Sequence, residues 1–146
     1  MNMKKEFYLI ISALLFLCLL VGPAFCQTDK EHLTKGNEYF DKGMYDKAIE
    51  EFNKAIEINP NDANAYNNRG FAYGMIGNLD QAIEDYNKAI EINPKLAEAY
   101  HDRGVAYFGK KEYDKAWQDV HMAESLGYEI NPIFLEELKK ESGKEK

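Results

Sequence analysis

The sequence predicts an all-α fold, an α-solenoid of three helix-turn-helix repeats followed by a C-terminal capping helix. A period of 34 residues runs through the segments 29–62, 63–96 and 97–130, which align without gaps. The first two segments share 15 identical residues and the last two share 11, where chance gives about two per pair. Glycines and prolines recur at fixed positions in this period and divide each segment into two helix-length stretches.

Residues 1–26 differ from the rest of the chain and are predicted to be a signal peptide. Two lysines precede the run from Phe7 to Val21, in which Ser12 is the one polar residue, and a small-residue motif ends at Cys26. The alternatives are an uncleaved membrane anchor and a lipoprotein modified at Cys26. The protein is therefore expected to be exported, periplasmic or secreted, with membrane contact only through this segment.

Each repeat is predicted to contain two helices. The first helices cover 31–42, 65–76 and 99–110, and the second helices cover 46–58, 80–92 and 114–126. Pro60 and Pro94 separate the repeats, because proline lacks a backbone donor and biases the preceding residue away from helix. Gly43 and Gly77 are expected to end the first helices in a left-handed conformation. An aspartate is expected to cap each second helix, at Asp46, Asp80 and Asp114.

Glycines inside the first helices predict close helix packing. A glycine costs about 1 kcal/mol relative to alanine in a helix interior, and its recurrence in phase requires a packing reason. The glycines are Gly36, Gly70 and Gly104, and the alanines expected to face them are Ala48, Ala82 and Ala116. Tyr39, Tyr73 and Tyr107 are expected to fill the adjoining space, and Ala55, Ala89 and Ala123 to receive the next repeat.

This combination of small and large residues resembles the tetratricopeptide repeat (TPR) family. The middle repeat matches the family pattern in full, with Tyr66, Gly70, Tyr73, Ala82, Tyr86, Ala89 and Pro94. His32 departs from it in the first repeat, and Val120 and Tyr128 depart from it in the third. The resemblance covers residues 29–130 and implies a right-handed superhelix whose first helices line a concave groove for peptides or partner helices.

A capping helix is predicted over residues 131–141, with a flexible tail over 142–146. Asn131 is a suitable N-cap and Pro132 a suitable first helical residue. Ile133, Phe134 and Leu138 are expected to cover the exposed end of the last repeat.

Composition argues against several classes of function. The formal charge of −7, from 25 acidic and 18 basic side chains, disfavours a nucleic-acid-binding protein. The three histidines fall at different registers, so neither a metal site nor a catalytic site is predicted. His32 is expected to replace a core aromatic and His101 to make an ordinary polar contact. No cofactor is expected, and the protein is predicted not to be an enzyme.

One charge pattern recurs in all three repeats. Lys35, Arg69 and Arg103 each precede a helix glycine, and Glu51, Asp85 and Asp119 share one register of the second helices. The predicted ion pairs are partly exposed and contribute at most about 1 kcal/mol each to stability.

The TPR resemblance places the candidate binding residues on the first helices. The candidate groove lining is Leu33, Asn37, Phe40, Asn64, Asn67, Asn68, Phe71, His101, Asp102, Val105 and Phe108. Related TPR domains that bind chaperone tails hold a carboxylate with two asparagines and several basic residues. Asn37 and Asn68 match the asparagines, but the basic positions hold Leu33, Glu98 and Asp102. A protein or peptide partner with a neutral or basic segment is therefore expected.

The predicted function is an exported, non-enzymatic interaction scaffold or adaptor that binds a peptide or protein segment in this groove. A structural, self-associating solenoid is one alternative, because repeats can stack end to end between chains. An accessory subunit of a cell-envelope enzyme or assembly complex is the other.

Overall fold

A computed structural model describes residues 28–143, and the described chain folds into seven α-helices and no strands. The predicted signal peptide, its anchor and lipoprotein alternatives, and the last three residues of the tail lie outside the described residues. The helices are α1 Asp29–Asp41, α2 Tyr45–Ile58, α3 Ala63–Met75, α4 Leu79–Ile92, α5 Ala97–Gly109, α6 Tyr113–Ser125 and α7 Pro132–Ser142. The all-α prediction is confirmed.

The first helix of each repeat begins two residues before its predicted start. The reason at two of the three starts is a side-chain cap. Thr28 accepts a hydrogen bond from the backbone amide of Glu31. Asp62 accepts from those of Asn64 and Ala65. Both caps lie in the connection that precedes the predicted helix start.

The second helices begin one residue before the aspartates that were expected to cap them. Their N-cap residues are Met44, Asn78 and Glu112. Of these three, Asn78 alone caps through its side chain, which accepts from the Gln81 amide. The prediction of aspartate caps is therefore wrong. The aspartates lie in the first turn, where a negative charge is still favoured by the helix dipole.

The turn inside each repeat requires a left-handed residue. Gly43 and Gly77 have φ angles of 71° and 81°, which confirms their predicted role as helix terminators. The third repeat places Lys111 at the same position with φ of 62°. A lysine pays a conformational cost there that glycine does not.

The interior glycines lie where the paired helices come closest. A Cβ atom on Gly36 would overlap the ring of Phe52. A Cβ on Gly70 would lie 2.9 Å from the Tyr86 ring, whereas one on Gly104 would lie 3.3 Å from the nearest atom. The predicted packing role is confirmed, although at the first two glycines the closest atoms belong to aromatic rings and not to the facing alanines.

The core runs along the helix pairs as a series of small clusters. The alanines predicted to sit between helices are almost fully buried: Ala48, Ala55, Ala82, Ala89, Ala116 and Ala123. Phe52, Tyr86 and Val120 fill the space beside them, packed with the tyrosines of the first helices.

Helix α7 caps the last repeat. Asn131 accepts a hydrogen bond from the amide of Ile133 over 2.9 Å, and Pro132 is the first helical residue, as predicted. Leu138 is fully buried and Phe134 packs against the same cluster, but Ile133 is 67% exposed and does not cover the repeat. Leu135 packs there instead. The helix continues to Ser142, whose hydroxyl accepts from the indole of Trp117.

Within residues 28–143, none of the helices combines the length and the apolar character required to cross a bilayer.

Candidate functional site

Two buried ion pairs hold the first helices in place. Arg69 donates two hydrogen bonds to Asp85, over 2.8 and 2.6 Å, and the Asp85 side chain is only 8% exposed. Arg103 repeats this geometry with Asp119. The predicted pairing is correct in these two repeats, but the expected exposure is wrong, because Asp85 and Asp119 lie against the helix glycines and are almost fully buried.

Each of these arginines also links its repeat to the preceding one. Arg69 donates to the Asn53 side chain over 2.6 Å, and Arg103 donates to Asn87 over the same distance. The two guanidinium groups lie over the rings of Tyr66 and Tyr100, at 5.4 and 5.5 Å. The inter-repeat angle is thus set partly by planar guanidinium recognition, which a lysine cannot reproduce.

In the first repeat the buried carboxylate, Glu51, has different partners. Glu51 bonds to Nδ1 of His32 over 2.6 Å and to Nζ of Lys54 over 2.7 Å, whereas Lys35 is exposed. The predicted pair between Lys35 and Glu51 is therefore wrong. His32 does take the core position of the missing aromatic, as expected, and uses its ring nitrogen to satisfy the buried carboxylate.

Helices α1, α3 and α5 adjoin one another and form what is here called the inner surface. Near its N-terminal end, Asn68 donates to the side-chain oxygen of Asn37 over 2.9 Å. The rings of Phe40 and Phe71 stack with centroids 5.0 Å apart. Four of the predicted groove residues are therefore brought together, and Phe71 keeps 44% of its surface exposed.

Other predicted groove residues are occupied by the fold. Phe108 packs against Tyr113 and Phe134 in the C-terminal core cluster, and Leu33 packs in the N-terminal one. Asn67 is only 3% exposed. Asn64 is exposed in the first turn of α3, close to the Asp62 cap.

A pocket of about 350 Å³ opens on the inner surface between α3 and α5 and is called here the central pocket. Its lining is mostly apolar and also carries two carboxylates and a histidine. The lining residues are Phe71, Gly74, Met75, Leu79, Tyr86, Glu98, His101, Asp102, Val105, Ala106 and Tyr128. Four of the predicted groove residues, Phe71, His101, Asp102 and Val105, therefore line one cavity.

The central pocket exists because one position of the repeat has lost its aromatic ring. In the first repeat Phe40 fills this position, with Tyr45 and Phe71 around it at 5.2 and 5.0 Å. In the third repeat Phe108 fills it, against Tyr113 and Phe134. The middle repeat has Gly74, which leaves an opening flanked by the smaller side chains of Leu79 and Val105.

Negative charge is concentrated in this pocket. Partial burial raises the pKa of Glu98, and the neighbouring charge of Asp102 raises it further, while His101 acts in the opposite direction. Burial and the same two carboxylates raise the pKa of the Tyr128 hydroxyl. Asp102 bonds to Nδ1 of His101 over 3.0 Å, and the histidine ring stacks on Tyr128 with centroids 4.7 Å apart. His101 thus makes the polar contact predicted for it.

Sequence reasoning missed several lining residues, among them Met75, Leu79 and Tyr128. Two signals in the sequence point to them. Tyr128 stands where the other repeats have their closing proline, and Gly74 stands where they have phenylalanine. Both departures lie at the central pocket, where the packing differs from that of the corresponding positions in the other repeats.

No group of three or more His, Cys, Asp or Glu side chains placed to hold a metal ion occurs in the described part of the chain.

Comparison with known proteins identifies the repeat. A model described as TPR repeat matches residues 36–77, and models described as Tetratricopeptide repeat match residues 63–96 and 85–118. The chain is 43% identical over 47 residues to Hsp70-Hsp90 organizing protein 1 of Arabidopsis thaliana, a match covering 32% of this chain and 8% of that protein. It is 41% identical over 49 residues to Stress-induced-phosphoprotein 1 of Caenorhabditis elegans, covering 34% of this chain and 14% of that protein. The chain thus spans only a small fraction of these relatives.

Solved structures match over most of the described chain. The first TPR of Spaghetti (RPAP3), bound to the HSP90 peptide SRMEEVD, has a TM-score of 0.74 and 31% identity, and the match covers 80% of this chain and 92% of that one. The Arabidopsis OM64 TPR domain has a TM-score of 0.74 and 28% identity, with 77% and 95% coverage.

Proposed function

The chain belongs to the tetratricopeptide repeat family, and on that premise we propose that it is an exported, non-enzymatic adaptor that binds a peptide or protein segment on its inner surface. The observation that carries this proposal is the central pocket, with apolar walls and a few fixed polar groups. Such a cavity is typical of sites that bury part of a ligand and orient it.

Peptide binding by similar domains supports the proposal. The first and second TPR of Spaghetti (RPAP3) are bound to the peptide SRMEEVD, and the second TPR domain of human RPAP3 is in complex with SGPTIEEVD. Both peptides end in acidic residues. Glu98 and Asp102 would repel such a tail here, so we assign a neutral or basic segment to this chain.

Export is the second part of the proposal and depends on residues 1–26, with their basic start and apolar run. N-terminal sequencing of the mature protein tests it. A mature chain that begins at Gln27 is expected, whereas a chain that begins at Met1 contradicts cleavage.

A pull-down from the native envelope fraction tests the adaptor role. The bait is the wild-type chain, compared with the double variant Asn68→Ala/Phe71→Ala, and the matched control is Gln118→Ala/Met122→Ala, which alters an exposed pair on α6. Partners should be lost with the first variant and kept with the control. Retention of the same partners by both variants would refute the assignment of the inner surface.

The alternatives separate by simple measurements. A self-associating solenoid scatters light in a concentration-dependent way, and a strictly monomeric chain removes that alternative. An accessory subunit of an envelope enzyme co-purifies with a catalytic activity. A labelled SRMEEVD peptide should fail to bind, and its binding on the inner surface would contradict the assigned charge preference.

A further inference from the structure

We propose that the central pocket receives one cationic side chain, a lysine or an arginine, from the bound segment. This inference rests on the proposed function, since it specifies the chemistry of the ligand at that same surface. The juxtaposition behind it is a pair of carboxylates, Glu98 and Asp102, in a cavity whose walls are mostly apolar.

No lysine or arginine within residues 28–143 forms an ion pair with either carboxylate. Arg69 and Arg103, which lie on the same two helices as the pocket, each bond to an aspartate of their own repeat. Asp102 bonds to His101, but the partly buried side chain of Glu98 has no hydrogen-bond or ion-pair partner among the described residues, and a carboxylate in such surroundings is costly. A cation from a ligand removes this cost, whereas an acidic side chain increases it and an apolar one leaves it in place.

Asp102 is held in position before any ligand arrives. His101 bonds to one carboxylate oxygen over 3.0 Å, and the side-chain amide of Asn67 lies 3.5 Å from the other. Asn67 is almost wholly buried, and its Oδ1 has no hydrogen-bond partner among the described residues. Asn67 does not itself line the pocket, so its role is to position Asp102 and not to contact the ligand. A donor-rich group such as an ammonium or a guanidinium suits the carboxylate fixed in this way.

The remaining walls fit the stem of such a side chain. Met75, Leu79 and Val105 offer an apolar surface for the methylene groups of such a side chain. The volume of about 350 Å³ accommodates one long side chain and not a folded element. The rest of the segment would then lie along the inner surface towards the amide pair of Asn37 and Asn68.

A display selection tests the inference with defined probes. Random heptapeptides with blocked termini are selected on the full-length chain, on Glu98→Gln, and on the control double variant Glu50→Gln/Glu57→Gln. The control removes two exposed carboxylates that do not line the pocket. We expect lysine or arginine to be enriched at one peptide position on the wild type and the control, with that enrichment lost on Glu98→Gln.

A synthetic peptide from the selection then gives the magnitude. Replacement of its enriched cation by norleucine should weaken binding to the wild type about tenfold or more, and should change binding to Glu98→Gln much less. Glu98→Lys should reverse the preference and enrich glutamate or aspartate at the same position. Circular dichroism and thermal melts establish that each variant is folded, and the Glu98 side chain makes no hydrogen bond to another described residue whose loss would disturb the fold.

The outcomes separate this inference from the proposed function. Peptides that bind in competition with one another and require Phe71, but show no cation preference, overturn the inference and leave the adaptor role standing. Enrichment of acidic residues on the wild type also overturns it. If the selection yields no peptide that binds the inner surface, the adaptor role and the inference fail together.

Discussion

Filling the central pocket with aromatic side chains should stabilise the fold and abolish ligand binding. The double variant Gly74→Phe/Val105→Phe gives the junction of the second and third repeats the rings that Phe40 and Phe71 supply between the first and second, stacked 5.0 Å apart. The backbone permits the first change, because a Cβ on Gly74 would meet only the Tyr86 hydroxyl, at 3.9 Å.

The expected gain in the free energy of unfolding has three parts. Replacement of Gly74, in the last turn of α3, contributes at most about 0.5 kcal/mol, the difference between the helix propensities of glycine and phenylalanine. A stacked aromatic pair contributes roughly 0.5–1.5 kcal/mol beyond the area buried. Half-burial of a phenylalanine ring contributes about 1 kcal/mol, and imperfect fit in the existing cavity offsets about 1 kcal/mol or more of the total. The net gain in the free energy of unfolding should be roughly 1–2 kcal/mol, and each kcal/mol should raise the Tm by about 4–8 °C.

Thermal and urea denaturation measure the gain, and peptide titration measures the loss of binding. Gly74→Ala is the matched control, because it removes the glycine and leaves the pocket open. The control should gain less than about 1 kcal/mol and retain binding. A double variant that is less stable than wild type, or one that binds peptide as well as wild type, would refute the account of the pocket as a missing aromatic pair.

Three further predictions concern stability. Asp85→Ala should lower the free energy of unfolding by about 3 kcal/mol, because it leaves the Arg69 guanidinium buried without its partner; a urea titration showing a loss no larger than that of the exposed Asp80→Ala would contradict this. Lys111→Gly should raise the Tm, since glycine removes about 1 kcal/mol of left-handed strain, and an unchanged or lower Tm argues against strain. Glu98→Gln should make the ligand-free protein slightly more stable than wild type at neutral pH, because the raised pKa of Glu98 means that its charged form is disfavoured in the folded state. The difference in stability between the two proteins should vanish as the pH falls through the raised pKa of Glu98 towards 4.5 and below. A difference that grows at low pH would contradict this prediction.

Much of the fold could be predicted because it repeats. The helix glycines, the alanines between helices and the left-handed Gly43 and Gly77 recur in phase, and each recurrence reports the same local environment. Helix ends were less predictable. The caps at Thr28 and Asp62 lie outside the periodic core pattern, so hydrophobic spacing gives no information about them.

The candidate site was only half predictable. The TPR resemblance assigned Phe71, His101, Asp102 and Val105 to the groove, and these four residues line one pocket. The resemblance could not distinguish these residues from Phe108, which is also on a first helix but is covered by Phe134 of the capping helix.

The sequence by itself determined the repeat, the helix pairs, the family resemblance and the excess of negative charge, because these depend on local spacing and composition. Tertiary structure alone decided that the arginine of one repeat bonds to an asparagine of the preceding one, that Asn67 is buried, and that Glu98 and Asp102 share a mostly apolar cavity. The physical reason is that each of these facts depends on which side chains of neighbouring repeats meet in space. A register describes one repeat at a time, whereas the pocket is formed by the differences between them.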